Sequence, residues 1–212
     1  MNVGADNNDG NAYTVYPPGV RRSDQPYHHG ALRAALLSRA AEQLRTGPVS
    51  ELSLRRLARD LGVSHAAPSR HFPDRQALLD AVAEDGWRRL EEELAAVDPG
   101  TGAGLRARLL ALGRAYVDFA RTEPALLELM FAGKAARPHP PEAELTGPGA
   151  VVADAVATGE VAGADPARTG TVLWAALHGV AALAVGGVLP DGEVDAVLGE
   201  TVDRLLDGLR PR

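Results

Sequence analysis

Cysteine is absent from the chain, so neither a disulfide nor a thiolate metal site can form, and a reducing interior is the simpler setting. Lysine is nearly absent too: of 22 basic residues only Lys134 is not arginine. That bias, with abundant alanine, points to a GC-rich bacterial genome. Aromatic residues make up 4% of the chain, so the few large rings are worth locating one by one. The start lacks a basic stretch followed by an apolar run, so no secretory signal is expected and the chain reads as cytoplasmic. Period-two alternation of useful length is missing, which removes a sheet and leaves an all-α chain. The six histidines (28, 29, 65, 71, 139 and 178) show no HExxH-like spacing, and no GxSxG elbow or phosphate-binding loop occurs. Neither a metal, a cofactor nor an enzyme is expected.

What is present is unevenly charged. The 212 residues carry a net charge of −6, which taken whole argues against a nucleic-acid partner. Between Arg21 and Arg75, however, 10 Arg face 5 acids, a net of +5, while residues 76–212 carry −9. A basic amino-terminal module on an acidic body suits an anionic polymer on one side only.

Residues 1–25 are rich in Asn, Asp, Gly and Pro without an apolar period and read as a mobile arm. From Gly30 to Thr46, Leu32, Leu36, Ala40 and Leu44 recur at steps of four, and Gly47-Pro48 stops the helix. Ser53 is placed to cap a second helix in which Leu54, Leu57, Ala58 and Leu61 share a face, and Gly62 ends it. Ser64 is placed to cap a short third helix ending near Phe72. Asp74 opens a longer one striped by Leu78, Val82, Gly86, Leu90, Leu94 and Val97. Further helices are expected over about 105–121, 124–131, 151–157, 167–185 and 191–209, with a Pro- and Gly-rich loop over most of 133–149.

The stretch LGVSHAAPSRHF (Leu61–Phe72) has too little bulk for pure packing and too little charge for pure solubility. Two short helices meeting at Gly62 form a helix-turn-helix pattern, whose second helix enters a major groove. Small or hydrogen-bonding side chains at Ser64, His65, Ala66 and Ala67 let backbone N–H groups meet phosphate. His65 and Arg70 can reach base edges or phosphates, and Ala can meet a thymine methyl. Val63, Pro68 and Phe72 face inward. Periodicity alone also allows a three-helix bundle with no ligand.

The run Tyr27–Leu90 resembles the amino-terminal domain of TetR/AcrR-family transcriptional regulators. The match is densest over LSLRRLARDLGVSHAAPSRHFPDRQALLDAVAEDG, Leu52 to Gly86. Ser53, Ala58, Gly62, Val63, Ser64, His71, Phe72, Arg75, Leu78 and Leu79 occupy the places of that family's pattern. YHHGALRAALL (Tyr27–Leu37), SHAAP (Ser64–Pro68) and WAALHG (Trp174–Gly179) resemble a subset with a Trp-His-Gly signature in its carboxy-terminal domain. The resemblance implies a helix-turn-helix domain over 26–90, after an arm over 1–25, and a helical ligand-binding and dimerisation domain over 91–212. The DNA-facing set is then Ser53 and Arg55, the recognition segment residues Ser64, His65, Ala66, Ala67, Ser69, Arg70 and His71, and Arg75. Ser69 departs from the family, which usually has Tyr there to touch a phosphate.

Thr171–Leu189 contains no Asp, Glu, Lys or Arg, long enough to raise a membrane span. Its Ala and Gly content, the central His178 and the missing basic flanks argue instead for burial between helices, and no membrane partner is expected. Small residues at Ala176, Gly179, Ala182 and Gly186 would admit a close partner helix. The last helix is striped by Val194, Val197, Leu198, Val202, Leu205, Leu206 and Leu209, with Asp191, Glu193 and Asp195 at its start complementing the macrodipole. The resemblance implies that the final two helices pair in a homodimer, presenting two recognition segments to a palindromic double-stranded DNA operator. It also implies an effector cavity among Trp87, Tyr116, Phe119, Phe131, Trp174 and His178, although each is also a plausible core residue. The expected function is a repressor released from its operator by a small apolar or amphipathic molecule. The alternative is a helical adaptor or small-molecule-binding protein that does not bind DNA.

Overall fold

A computed structural model describes residues 29–100, 102–132, 147–161 and 165–209. The arm over 1–25 and most of the loop over 133–149 lie outside the described residues. Among the described residues there are eight α-helices and no strand. α1 (His29–Thr46) buries Leu32, Leu36, Leu37, Ala40, Ala41 and Leu44, the predicted stripe widened by its neighbours. A single 3-10 turn, Val49–Glu51, leads to α2 (Leu54–Asp60). Ser53 caps α2 as expected, its hydroxyl accepting the Arg56 N–H at 3.3 Å.

Gly62 closes α2. Its φ of +66° is the left-handed region that a side chain disfavours. There the Gly62 N–H donates to the Arg59 carbonyl at 3.1 Å and the Val63 N–H to Ala58 at 3.0 Å. These two bonds make a Schellman stop.

The third helix expected over Ser64–Phe72 is not an α-helix. A tight turn at residues 65–66 is followed by a 3-10 turn, Pro68–Arg70. The cause is Pro68, which has no N–H to give the Ser64 carbonyl four residues back. That carbonyl instead takes the Ala67 N–H at 3.0 Å, and the tighter pattern continues with His71 N–H to Pro68 at 2.9 Å. The inward residues are as expected: Pro68 and Phe72 are buried, and Val63 packs against the core.

α3 (Arg75–Ala95) is capped by Asp74, whose carboxylate accepts the Ala77 N–H at 2.8 Å. It stops before Val97, short of the predicted end. At 21 residues it spans roughly 31 Å and runs from the turn that follows α2 into the body. α4 (Leu105–Thr122), α5 (Pro124–Ala132), α6 (Pro148–Ala157), α7 (Pro166–Val185) and α8 (Val194–Leu209) make up that body. α6 begins three residues earlier than predicted, and the start expected for α8 at Asp191 is a 3-10 turn over Asp191–Glu193.

One apolar core runs from Leu32 in α1 to Val202 in α8. α7 lies against α4, α6 and α8, while α5 sits between α1, α3 and α4. By length and composition α7 passes as a membrane span, but here its buried face of Leu173, Leu177, Val180, Ala181 and Ala184 is part of this core. Val172, Leu183, Val185 and Val188 lie exposed along its other side and just beyond its end. Two glycines allow the closest crossings. A Cβ on Gly113 would lie 2.8 Å from Leu198 Cδ1, and one on Gly86 2.8 Å from Met130 Sδ.

Candidate DNA interface and aromatic cluster

With Val63, Pro68 and Phe72 turned inward, the turn after α2 leaves Ser64, His65, Ala66, Ser69 and Arg70 exposed. Arg55 is exposed on α2, and neither it nor Arg70 pairs with an acid among the described residues. Two solvated guanidiniums beside small side chains form a surface that a phosphate backbone can approach closely. The other predicted contacts are placed differently. Ala67 and His71 are half-buried, Ala67 packing against the core. Ser53 Oγ accepts the α2 cap bond, which leaves its O–H free to donate.

Arg75 is exposed, as a DNA contact requires, and also makes backbone bonds. Its Nε donates to the Leu52 carbonyl at 2.9 Å and its Nη2 to Val49 at 2.7 Å. It therefore ties the start of α3 to the chain entering α2. Arg33 lies 5.5 Å over the Phe72 ring and clamps the same turn against α1.

In the body, five of the six predicted effector residues meet. Trp87 on α3 meets Phe131 on α5 edge-on, with ring centroids 5.0 Å apart, and Phe131 lies 4.5 Å from His178 on α7. Tyr116 on α4 lies 4.6 Å from Trp174, and its hydroxyl is 2.7 Å from His178 Nδ1. Phe119 is buried in the core nearby on α4.

The electrostatics agree with a neutral cluster. Burial holds the Tyr116 phenol above its ordinary range, so it keeps its proton, and burial holds the His178 imidazole below its ordinary value. A neutral imidazole has one donor and one acceptor nitrogen, so Nδ1 and the Tyr116 hydroxyl can share this hydrogen bond in either direction, as the tautomer sets. Trp87 Nε1 is buried without a hydrogen-bond partner among the described residues. Phe131 and His178 also line an open groove of about 810 Å³ between the end of α1, α5 and α7.

Sequence reasoning missed a set of charged residues. Glu123, between α4 and α5, is only 2% exposed and holds Arg45 and Arg89. Arg106, Arg114 and Arg121 on α4 pair with Asp203, Asp195 and Asp191, so two of the acids read as macrodipole partners also reach across to α4. Glu160 accepts the Leu105 N–H at 2.6 Å, capping α4 from 55 positions away, where no nearby side chain does so. Capping signals are read within three or four residues, so no local pattern announces that contact.

A helix-turn-helix end on a helical body with its own ring-lined interior is the build of a DNA-binding transcriptional regulator. The family model for bacterial regulatory proteins of the tetR family matches residues 36–82, and that for a tetracyclin repressor-like C-terminal domain matches residues 109–209. A comparison with curated proteins found no match. Among solved structures, a protein of unknown function from Rhodococcus sp. RHA1 is 43% identical, with a TM-score of 0.73 over 89% of this chain and 100% of that one. A TetR-family transcriptional regulator from Pectobacterium atrosepticum shares the fold at 21% identity, TM-score 0.65, over 87% of this chain and 97% of its own. A TetR variant from Acinetobacter baumannii AYE, in complex with minocycline, does so at 22% identity and TM-score 0.57, over 84% and 94%. The chain belongs to the TetR family of bacterial regulators.

Proposed function

We propose that this regulator is a homodimeric repressor of the Trp-His-Gly subset, pairing through α7 and α8. On this reading it binds a palindromic operator with the surface around Arg55, Ser64, His65, Ser69 and Arg70, and leaves it when a small uncharged molecule enters the body. The observation that carries the reading is the chain of rings Trp87–Phe131–His178–Tyr116–Trp174. It joins α3, α4, α5 and α7, and α3 begins directly behind the DNA-facing turn. A molecule that parts these rings displaces α3, and so works on the reading surface. The neutral cluster and the unpartnered Trp87 N–H favour an apolar or amphipathic effector with a hydrogen-bond acceptor over an ion. The exposed apolar residues of α7, and open space around a Cβ built on Gly179, fit a partner helix.

The test is linkage. Compounds are screened by quenching of Trp87 and Trp174 fluorescence, and each hit is titrated with and without operator DNA. A hundredfold release of operator corresponds to about 2.7 kcal/mol of coupling, and the same factor must weaken the ligand when operator is bound. Hits whose affinity ignores saturating operator would sink the repressor-with-effector mechanism.

A further inference from the structure

Glu123 stands where the body meets the DNA-reading headpiece. Its main chain belongs to the body: its N–H donates to the Phe119 carbonyl at 2.9 Å, and its own carbonyl accepts the Leu127 N–H at 2.9 Å. Its side chain reaches the other way. Oε1 accepts Nε and Nη2 of Arg45, in the last turn of α1, at 2.8 and 2.6 Å, and Nη2 of Arg89 on α3 at 2.5 Å. One oxygen thus takes three N–H groups from the headpiece helix and from the helix that joins headpiece to body. The other, Oε2, is buried without a partner among the described residues.

Such an arrangement is a poor way to gain stability. Taking a carboxylate out of water costs several kcal/mol, and leaving half its lone pairs unmet adds to that cost. An apolar side chain of similar size would pack there at less expense. Direction is what the acid adds. α5 lies against α1, and apolar burial is non-directional, whereas N–H···O bonds weaken steeply with angle. Arg45 presents its guanidinium edge, Nε and Nη2 together, to a single oxygen, which holds α1 at one rotation.

We propose that Glu123 is a positioning residue for operator specificity: it sets the angle of each headpiece on the body, and thereby the half-site spacing that a dimer accepts. This rests on the dimeric operator-binding reading above. One base pair of B-DNA moves the second half-site by about 3.4 Å and turns it by roughly 35°, a mismatch that rigidly held headpieces cannot absorb. Hinged headpieces can.

The experiment uses the full chain and duplexes built from a selected palindrome, with the spacer lengthened or shortened in single base pairs. Wild type, Glu123→Gln and Arg45→Ala are titrated against each duplex and against one half-site alone. Arg45→Ala removes a half-exposed side chain and leaves Glu123 its bond to Arg89, so it serves if the buried substitution does not fold. Wild type is expected to lose about tenfold in affinity for each base pair of error, the size of one ordinary site defect. Both variants are expected to hold the half-site as wild type does and to lose less than about threefold per base pair, the same defect partly absorbed by a hinge. Spacing profiles as sharp as wild type's overturn the proposal and leave DNA recognition standing, as does a loss equal at every spacing. Failure of wild type itself to bind any palindrome overturns the dimeric reading on which the proposal rests.

Discussion

At the DNA-facing end, Ser53 bonds to Arg56 three residues on, Asp74 to Ala77, and Gly62 closes α2 through bonds that span at most five residues. In the body, Arg106 reaches Asp203 across 97 positions, Arg114 reaches Asp195 across 81, and Tyr116 reaches His178 across 62. The headpiece turns are set mostly by what each residue does to its own backbone, with Arg75 and Arg33 as longer ties, whereas the body is shaped by which helices cross. Function follows the same division. A reading surface needs an unusual local backbone that brings small side chains to DNA, and an effector site needs walls from several helices that a ligand can part.

The largest expected effect tests the body's reliance on packing between distant helices. Phe119→Ala removes a ring that is 2% exposed and should cost about 3–5 kcal/mol, read as a lower urea midpoint. A loss below 1 kcal/mol would mean that the body holds itself by local helix formation after all.

Next comes the headpiece backbone. A Cβ on Gly62 meets no atom within 4 Å, so Gly62→Ala tests conformation alone. With φ at +66°, the variant should lose about 1–2 kcal/mol and bind operator more weakly, as followed by urea unfolding and fluorescence anisotropy. An unchanged midpoint would show that the turn does not depend on its left-handed residue.

The two surfaces should then differ in their response to salt. Arg70 is solvated at the turn, while Arg114 pairs with Asp195 on the body. Arg70→Ala is expected to flatten the log–log salt dependence of operator binding by about 0.9, one phosphate contact, and Arg114→Ala to leave it unchanged. Equal slopes for both variants would remove Arg70 from the interface.

The smallest effect concerns pH. His178 titrates below its ordinary value of 6.5 because burial disfavours its charged form. Between that lowered value and about 6.5 the unfolded chain binds the proton and the folded one does not, so stability falls as pH drops through this window. His178→Gln should flatten that part of the profile in thermal melts from pH 7.5 to 5, while the carboxylate-driven loss at lower pH remains. A slope identical to wild type's would mean that the imidazole protonates freely in the folded body, contrary to its place beside Phe131 and Tyr116.

Much of the headpiece was legible because its signals are local. Caps at Ser53 and Asp74, the stop at Gly62 and the inward trio Val63, Pro68 and Phe72 stand as the sequence suggests. The exception at Pro68 is also local: the missing donor is visible in the sequence, and only its consequence, a 3-10 turn in place of a short helix, was underrated. At Arg75 a guanidinium near a recognition segment suits a phosphate and a carbonyl equally well, and spacing does not announce the backbone bonds it makes. The choice depends on how near the Val49 and Leu52 carbonyls come. In the body, the scarcity of aromatics singled out rings that do meet, but their partners and the Tyr116–His178 bond could not be read from spacing.

The sequence by itself determined the helices, most of their buried faces, the charge asymmetry and the special turn after α2. These follow from periodicity, capping and backbone sterics, which act over a few residues. Tertiary structure alone decided that Glu123 grips Arg45 and Arg89, that Glu160 caps α4, and that Asp191, Asp195 and Asp203 line up with the arginines of α4. An exposed-looking charge in a helical repeat has many oppositely charged candidates along the chain. Only the crossing of packed helices, fixed by contacts such as Gly113 against Leu198 and Gly86 against Met130, selects which of them comes within reach.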